Sequence, residues 1–267
     1  MLSKKKQNLL VAVFFLLSVL FTFQTLEAVE MALIPAGTYI VGTDDPEADD
    51  PVNGPGPVQG IYLADSTPAR HVSQDAFYID VFEVSNVDYQ LFCKETGHPV
   101  PQNWVDGIAK GEEKRPVVNV TWFNANSYCK WAKKRLPTEE EWEIAARGSQ
   151  GNIFPWGNSF DAQLANLTLG KPVPGGTIPT DKSPFGVFDM AGNVTEWTSS
   201  WYTQKPGNTV PSELYGKKFR VLRGGEGVTL KQHYKTSGVL FRSYVRNFSL
   251  PASRGPDAGF RCVRSVK

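Results

Sequence analysis

The sequence predicts an α+β fold with little regular secondary structure, and two regions of contrasting character support this prediction. In the first half, short apolar runs alternate with three segments that have helical spacing and helix-capping residues. After Gly148, Gly, Pro, Asn and Trp dominate without a sustained helical period, which predicts short strands and ordered loops. The 267-residue chain shows no internal repeat and no low-complexity linker, so a single domain over residues 30–267 is predicted.

Residues 1–28 have the pattern of a targeting segment and are set apart from the domain. Three lysines at residues 4–6 precede an apolar stretch at residues 9–23, and Ala28 offers a small residue for cleavage. This stretch is shorter than the roughly 20 residues of a membrane span, which favours a cleaved signal peptide. An uncleaved membrane anchor is the alternative, because Leu26 at position −3 is not small. Both readings predict export to a periplasmic or extracellular location.

Charge and cysteine content exclude several classes of function. The formal net charge is +1, and no basic stripe interrupts the mixed charges, so nucleic acid is not an expected partner. In an oxidising compartment, Cys93, Cys129 and Cys262 predict one disulfide and one remaining thiol. The chain has no C-x-x-C pair, and its three histidines are scattered, so a histidine- or thiol-based zinc or iron site is not predicted.

Two strands are expected before the first helix. Residues 31–40 are apolar and β-branched around Pro35 and Gly37, which predicts a strand with a bend. Residues 76–84, with the sequence AFYIDVFEV, predict a second strand. The segment between them, residues 41–69, is rich in Asp, Pro and Gly and is typical of a long surface loop.

Three helices are predicted from apolar positions at helical spacing and from residues that favour helix ends. They cover residues 86–96, 122–135 and 139–147. Ser85 is the expected N-cap of the first helix, and Gly97 is its expected stop. Pro137 ends the second helix, and Thr138 with Glu141 forms a capping box that begins the third.

Seven segments, taken in order, resemble one known family. They are MALIPAGTYIVGTDDP (31–46), DAFYIDVFEVSN (75–86), VTWFNANSYCKWAKKRLPTEEEWEIAARG (120–148), IFPWGN (153–158), FGVFDMAGNVTEWTSSWY (185–202), RVLRGG (220–225) and GFRC (259–262). Together they are similar to the formylglycine-generating, sulfatase-modifying-factor domain over nearly the whole exported chain. The resemblance implies a C-type-lectin-like α+β fold for this single domain.

The family enzyme oxidises a substrate cysteine to formylglycine with a cysteine pair and a copper ion, a chemistry suited to soft thiolate ligands. That pair follows the R-G-G run, where residues 226–247 of this chain contain no cysteine. Formylglycine generation and a copper cofactor are therefore not expected, and Cys93 is expected to be a small buried hydrophobe. The resemblance also implies a disulfide between Cys129 and Cys262, which ties a central helix to the C-terminus.

A calcium site in the G-N-V-x-E-W run is a second structural feature that the resemblance implies. The corresponding ligands are the side chains of Asp189 and Glu196 and the backbone carbonyls of Gly192 and Val194. Hard oxygen donors of this kind suit Ca²⁺. The alternative is a pair of surface carboxylates on either side of a turn.

Three arginines near the C-terminal motifs, Arg223, Arg246 and Arg261, have two possible roles. Each guanidinium can bind a carboxylate or a peptide backbone of a ligand in bidentate fashion. Internal ion pairs are the equally supported alternative, with the expected partners Glu141, Glu143 and Asp257. Most of the seven tryptophans are expected in the core, and one or two at a groove rim would be compatible with ligand binding.

The function favoured by the sequence is an exported binding or accessory factor that holds a polypeptide or small-ligand client, as in the maturation of another exported protein. The alternative is an oxidoreductase that modifies a secreted protein or peptide without the thiol–copper pair. Its candidate catalytic residues are His233, Tyr234, Glu226 and Arg246. A membrane-tethered subunit of a larger complex is the third reading, and it requires an uncleaved N-terminal segment.

Overall fold

Three small sheets and three helices form the regular part of the computed structural model, which describes residues 29–44, 63–167, 169–225 and 238–266. The strands in these ranges are β1 (Met31–Ile34), β2 (Gly37–Val41), β3 (Arg70–Gln74), β4 (Phe77–Asp80), β5 (Thr195–Trp201), β6 (Arg220–Arg223), β7 (Asn247–Ser249), β8 (Ala258–Gly259) and β9 (Val263–Ser265). The helices are α1 (Asn86–Thr96), α2 (Trp122–Trp131) and α3 (Glu139–Arg147). Within the described ranges, no helix is both long enough and apolar enough to span a bilayer.

The sheets bring distant parts of the chain together. Strand β4 lies between β1 and β9 and is antiparallel to both, so the start and the end of the domain meet in one sheet. Strands β2 and β3 form an antiparallel pair. The largest sheet has the order β7-β6-β5-β8, in which β5 is antiparallel to β6 and parallel to β8. The predicted α+β architecture, with loops between short strands in the second half, is confirmed.

The first predicted strand is wrong in one respect, because residues 31–40 form two strands in different sheets. Pro35 separates β1 from β2, and it has no backbone N–H to donate to a ladder. The Tyr39 hydroxyl donates to the Pro35 carbonyl at 2.6 Å and holds the bend. The second predicted strand, residues 76–84, is also shorter than expected, since β4 ends at Asp80.

Helices α1 and α3 have the predicted bounds and caps. Ser85 Oγ accepts from the Asp88 N–H, and Gly97 ends α1 in the left-handed region at φ 71°. The Thr138 side chain and the Glu141 side chain form the expected reciprocal capping box at the start of α3.

Helix α2 ends four residues earlier than the sequence predicts. It stops at Trp131, and Lys133 then takes a positive φ of 57°. Backbone pairing of Arg135 with Val263 explains the early end, because these two residues exchange hydrogen bonds at 2.9 and 2.7 Å. A tertiary contact with the C-terminal strand therefore overrides the local helical preference.

Two apolar clusters make up most of the core. One surrounds Trp197, Tyr128 and Phe260 between α1, α2 and the large sheet. The other surrounds Trp142 and Ile79 between α3 and the β1-β4-β9 sheet. Trp142 and Trp197 are among the largest fully buried side chains, and Trp104 is buried as well. The other four tryptophans are only partly buried, so fewer than the expected majority lie fully in the core.

Candidate functional site

An open groove of about 590 Å³ lies between the N-terminus of α3 and the end of β5. Its walls carry hydroxyl, amide and carboxylate side chains together with one aromatic ring, that of Trp201. Thr138 and Glu140 line it from the helix, and Ser200 and Thr203 line it from the strand and the loop after it. A concave surface with mixed polarity and an aromatic wall is typical of ligand-binding sites.

The aromatic wall is held in place by a stacked arginine. The Arg220 guanidinium carbon lies 3.4 Å from the centroid of the Trp201 ring and 3.9 Å from that of Trp122. Arg220 Nη1 also donates to the Ser199 carbonyl at 2.5 Å. Cation–π contacts with the Arg220 guanidinium hold both indole rings in place beside the groove.

The carboxylates at the helix end of the groove are all paired with cations. Glu141 accepts two hydrogen bonds from Arg135 at 2.6 Å, and Glu140 forms an ion pair with Arg70. Lys205 Nζ lies 3.1 Å from Glu139 Oε1 and 3.6 Å from Glu140 Oε1. Because opposite charges compensate each other here, the groove suits a polar ligand without a strong net charge.

Arg246, a candidate catalytic residue, lies in a buried ion-pair network beneath this groove. Its side chain is fully buried, and its Nε donates to Glu139 Oε2 at 2.8 Å. Arg246 Nη1 lies 3.5 Å from Asp65 Oδ2, and Nη2 donates to the Thr203 carbonyl at 2.9 Å. Arg246 is therefore bonded to groups within the protein, and its buried side chain is not accessible to a substrate.

Glu139 is the central anion of that network. Burial raises the pKa of its carboxyl, but the cations Lys205, Arg246 and Arg223 outweigh burial and hold the pKa at about 2. Arg223 Nη2 donates to both Glu139 and Glu143, at 3.1 and 2.9 Å. Of the two roles considered for these arginines, the structure shows internal ion pairs for Arg223 and Arg246: Arg223 uses Glu143, one of the expected partners, and Glu139, whereas Arg246 uses Glu139 and Asp65, which were not expected.

The remaining candidates for catalysis cannot be placed together with Arg246. His233, Tyr234 and Glu226 lie outside the residues that the structure describes. Of the four, only Arg246 belongs to the described ranges, so the oxidoreductase interpretation gains no geometric support from them.

The four residues of the expected calcium site are all buried on the turn that leads into β5. Asp189 Oδ2 accepts from the Gly176 N–H at 2.7 Å, and within the described part of the chain its Oδ1 has no hydrogen-bond partner. Glu196 is different, because Arg261 Nε and Nη2 and Trp142 Nε1 donate to its two oxygens at 2.7–3.0 Å. The lone pairs of Glu196 are therefore used within the protein, and Glu196 is not among the partners that the sequence suggested for Arg261.

Glu83 and Asp181 approach the same turn and complete what we call the buried carboxylate cluster, which consists of Glu83, Asp181, Asp189 and Glu196. Burial, and then the charge of Asp189, raise the pKa values of Glu83 and Asp181 well above their usual range. Burial likewise raises the pKa of Asp189 to about 6. Sequence reasoning missed Glu83, although an acidic residue inside the apolar run of residues 76–84 was a signal that it faces a polar partner.

No set of three or more His, Cys, Asp or Glu side chains in the described ranges converges closely enough to hold a metal ion alone. Backbone carbonyls, such as those of Gly192 and Val194, would have to complete any cation shell at the cluster. The donor set suits a hard cation at Asp189, whose free oxygen is buried, and does not suit one at Glu196.

None of the three cysteines is placed to act as a reactive thiolate. The structure joins Cys129 on α2 to Cys262, with a Cα–Cα distance of 5.7 Å. Cys93 is buried in α1, where its Sγ faces the Pro99 carbonyl at 3.8 Å and burial raises the pKa of the thiol. A thiol with a raised pKa is a poor nucleophile and a poor copper ligand at neutral pH.

The short sheets, the three capped helices and the loop-rich second half define a C-type-lectin-like domain of the formylglycine-generating-enzyme class. Residues 18–266 match the family model described as the sulfatase-modifying factor enzyme 1-like domain. The chain belongs to this family.

Relatives named as active and as inactive enzymes are both similar to this chain. The chain is 32% identical to a mouse formylglycine-generating enzyme, covering 88% of this chain and 74% of that protein. It is also 32% identical to a mouse protein named inactive C-alpha-formylglycine-generating enzyme 2, covering 88% of this chain and 86% of that protein. Sequence identity alone therefore does not separate the active from the inactive relatives.

Solved structures support the same fold. PvdO from Pseudomonas aeruginosa superposes with a TM-score of 0.67 at 23% identity, over 88% of this chain and 94% of that one. Treponema denticola variable protein 1 superposes with a TM-score of 0.66 at 22% identity, over 88% and 95% of the two chains. At this level of identity the likeness defines the fold.

Proposed function

We propose that this protein is an exported member of its family that does not generate formylglycine and holds a polypeptide client in the groove beside Trp201. The arrangement of the cysteines is the observation that supports the absence of formylglycine generation. The chain has three cysteines, of which two are paired with each other and the third, Cys93, is buried in a helix. A thiolate pair for copper has no source in this sequence.

The relationship to inactive family members supports this interpretation. A relative that carries the name of an inactive formylglycine-generating enzyme covers 88% of this chain, as the active enzyme does. The scaffold is thus compatible with a role that does not depend on the oxidation chemistry. Binding is the role that an intact fold with an open groove supports best.

The groove favours an extended polypeptide over a charged metabolite. Its glutamates are neutralised by Arg70, Arg135 and Lys205, so no strong field selects for an ion. Hydroxyl groups of Ser199 and Ser200 and amide side chains near the rim can exchange hydrogen bonds with backbone amides. The Trp201 ring offers a flat apolar surface for a side chain of the client.

A groove-filling substitution tests the proposal. Thr203 and Thr209 are both exposed in the same loop, but only Thr203 lines the groove. We expect Thr203→Trp to weaken binding to peptides selected from a displayed random library by at least about tenfold, or roughly 1.4 kcal/mol. Thr209→Trp is the matched control and should leave the affinity unchanged.

Binding constants are best measured by fluorescence anisotropy with labelled peptides, after both variants have been shown to unfold at the same temperature as the parent chain. Peptide binding that is lost in Thr203→Trp alone supports the groove as the client site. Equal affinity in the two variants, or the absence of any selected peptide, would rule out the proposed client site.

A further inference from the structure

Three cations lie within a short stretch at the start of β6, beside the groove. Lys217 and Lys218 are exposed, and Arg220, the first residue of β6, is partly buried. Arg220 is paired in register with Trp201 of β5, which forms the aromatic wall of the groove. We call Lys217, Lys218 and Arg220 the basic edge. It borders the groove at Trp201 without forming part of the groove walls.

The positive charge of the basic edge is not balanced by a carboxylate of this protein. Between residues 29 and 266, apart from the gaps at 45–62, 168 and 226–237, no carboxylate forms an ion pair with any of its three side chains. Burial lowers the pKa of Arg220, and within the same ranges no carboxylate opposes this shift. The cations at the groove walls differ, because Arg70, Arg135 and Lys205 each pair with a glutamate. An uncompensated charge next to a neutral groove attracts an acidic group of a ligand.

The guanidinium of Arg220 is held in one orientation and still has donors to spare. Its carbon lies 3.4 Å from the centroid of the Trp201 ring and 3.9 Å from that of Trp122, and its Nη1 donates to the Ser199 carbonyl at 2.5 Å. Among the described residues, Nε and Nη2 have no acceptor; Nε is buried, whereas Nη2 is accessible. An oriented guanidinium with an open nitrogen is preorganised to donate to a carboxylate.

We propose that the basic edge binds an acidic side chain of the client, so that Arg220 selects polypeptides with Asp or Glu close to the residue that packs on Trp201. This inference rests on the proposed function, because it assigns a specificity determinant to the same groove. An extended chain advances about 3.3 Å per residue, so the acidic residue is expected within about two residues of the one that contacts Trp201. Lys217 and Lys218 add attraction without a fixed geometry.

The charge distribution along the groove favours a polypeptide over a polyanion such as nucleic acid. The end of the groove at α3 carries Glu139, Glu140 and Glu141, whose charges are balanced by cations of the protein. A ligand with a negative charge at every repeat would meet these carboxylates, whereas a polypeptide with one acidic flank places its charge at the basic edge alone.

The test compares paired peptides on paired variants. Peptides are selected on the full chain from a displayed random library, and each acidic residue of a selected peptide is then replaced by its amide, Glu by Gln or Asp by Asn. Both members of a pair are measured on the parent chain and on Arg220→Gln. If Arg220 only holds the indole rings in place, the variant weakens both members equally; if it binds the acidic side chain, the variant weakens the acidic member more.

A second variant removes charge from the basic edge without touching the aromatic wall. Lys217→Gln combined with Lys218→Gln changes two exposed side chains that do not line the groove. The matched control is Lys110→Gln combined with Lys114→Gln, the same change at two exposed lysines in the loop after α1, which also lie outside the groove walls. Only the first pair is expected to reduce the preference for the acidic peptide.

The expected result is a set of selected peptides enriched in Asp or Glu, with the acidic member bound about fivefold more tightly than its amide by the parent chain. This preference should fall to less than about twofold in Arg220→Gln and in high salt, which screens exposed charges.

Two kinds of failure can be told apart. Selected peptides without acidic enrichment, or a preference that Arg220→Gln leaves unchanged, overturn the basic edge as a determinant and leave the groove as a client site. The absence of any selected peptide overturns the proposed function and this inference together. Heparin or single-stranded DNA that binds through the basic edge, in place of acidic peptides, would assign the edge to a polyanion and contradict the proposal.

Discussion

Replacing Arg246 with methionine removes a fully buried guanidinium and keeps an unbranched apolar side chain in place of its aliphatic stem. The change deletes the hydrogen bonds to Glu139 Oε2 at 2.8 Å and Oε1 at 3.2 Å, and the bond to the Thr203 carbonyl at 2.9 Å. It also leaves Asp65, which is 1% exposed, without its cationic partner. We therefore expect a loss of stability in place of a specific loss of function.

The size of this effect follows from the burial of the partners. Removing one member of a buried ion pair costs about 3–5 kcal/mol, because the other charge stays in a medium of low polarity. Glu139 keeps Arg223 and Lys205, which moderates the loss, whereas Asp65 keeps only hydroxyl donors from Tyr202 and Ser66 among its described hydrogen bonds. An expected loss of about 3 kcal/mol lies at the lower end of this range.

The assay is equilibrium unfolding in urea, followed by tryptophan fluorescence at neutral pH. The double variant Arg246→Met with Asp65→Asn supplies an internal check, since removing the stranded anion should recover part of the lost stability. A loss below about 1 kcal/mol, or a double variant no more stable than the single one, would refute the account of Arg246 as the centre of a buried network.

Three further results are expected. The difference in unfolding free energy between the parent chain and Glu139→Gln should shrink by about 3 kcal/mol as the pH falls from 4.5 towards 2, because the pKa of Glu139 is lowered to about 2 and its contribution depends on the ionised form. A difference, measured by urea unfolding, that stays constant over this range would contradict this. Reduction of the Cys129–Cys262 bond should cost about 2–5 kcal/mol, measured by urea unfolding with and without dithiothreitol, and an unchanged midpoint would show that the bond is absent. Gly225→Ala should lower the melting temperature, since its Cβ would overlap the Phe241 ring, and an unaltered melting temperature would contradict that close approach.

The parts of the fold that the sequence predicts well are those set by neighbouring residues. Ser85 and the pair Thr138 and Glu141 satisfy backbone N–H groups within their own helix turn, so α1 and α3 begin where local chemistry places them. The end of α2 depends on the contact of Arg135 with Val263, which is far away in the chain. Such a pairing leaves no local trace in the sequence.

The candidate sites likewise combine features that local sequence predicts with contacts from distant segments that it does not. The G-N-V-x-E-W run correctly marks a buried turn with Asp189, but the saturation of Glu196 depends on Arg261 and Trp142 from other segments. Glu83 becomes part of the cluster only because the segment after β4 runs beside Phe188, whose N–H donates to the Val81 carbonyl. The groove combines residues 138–141 with residues 199–206, so neither segment alone predicts a cavity.

The most direct test of the central claim is an assay for formylglycine formation. The full chain is purified, supplied with copper and oxygen, and incubated with a cysteine-containing peptide; aldehyde is then trapped with a hydrazine and detected by mass spectrometry. Because two of the three cysteines are joined in a disulfide and the third, Cys93, is buried, the account predicts no aldehyde above the level of a protein-free control. Catalytic conversion of the peptide cysteine to an aldehyde would contradict it.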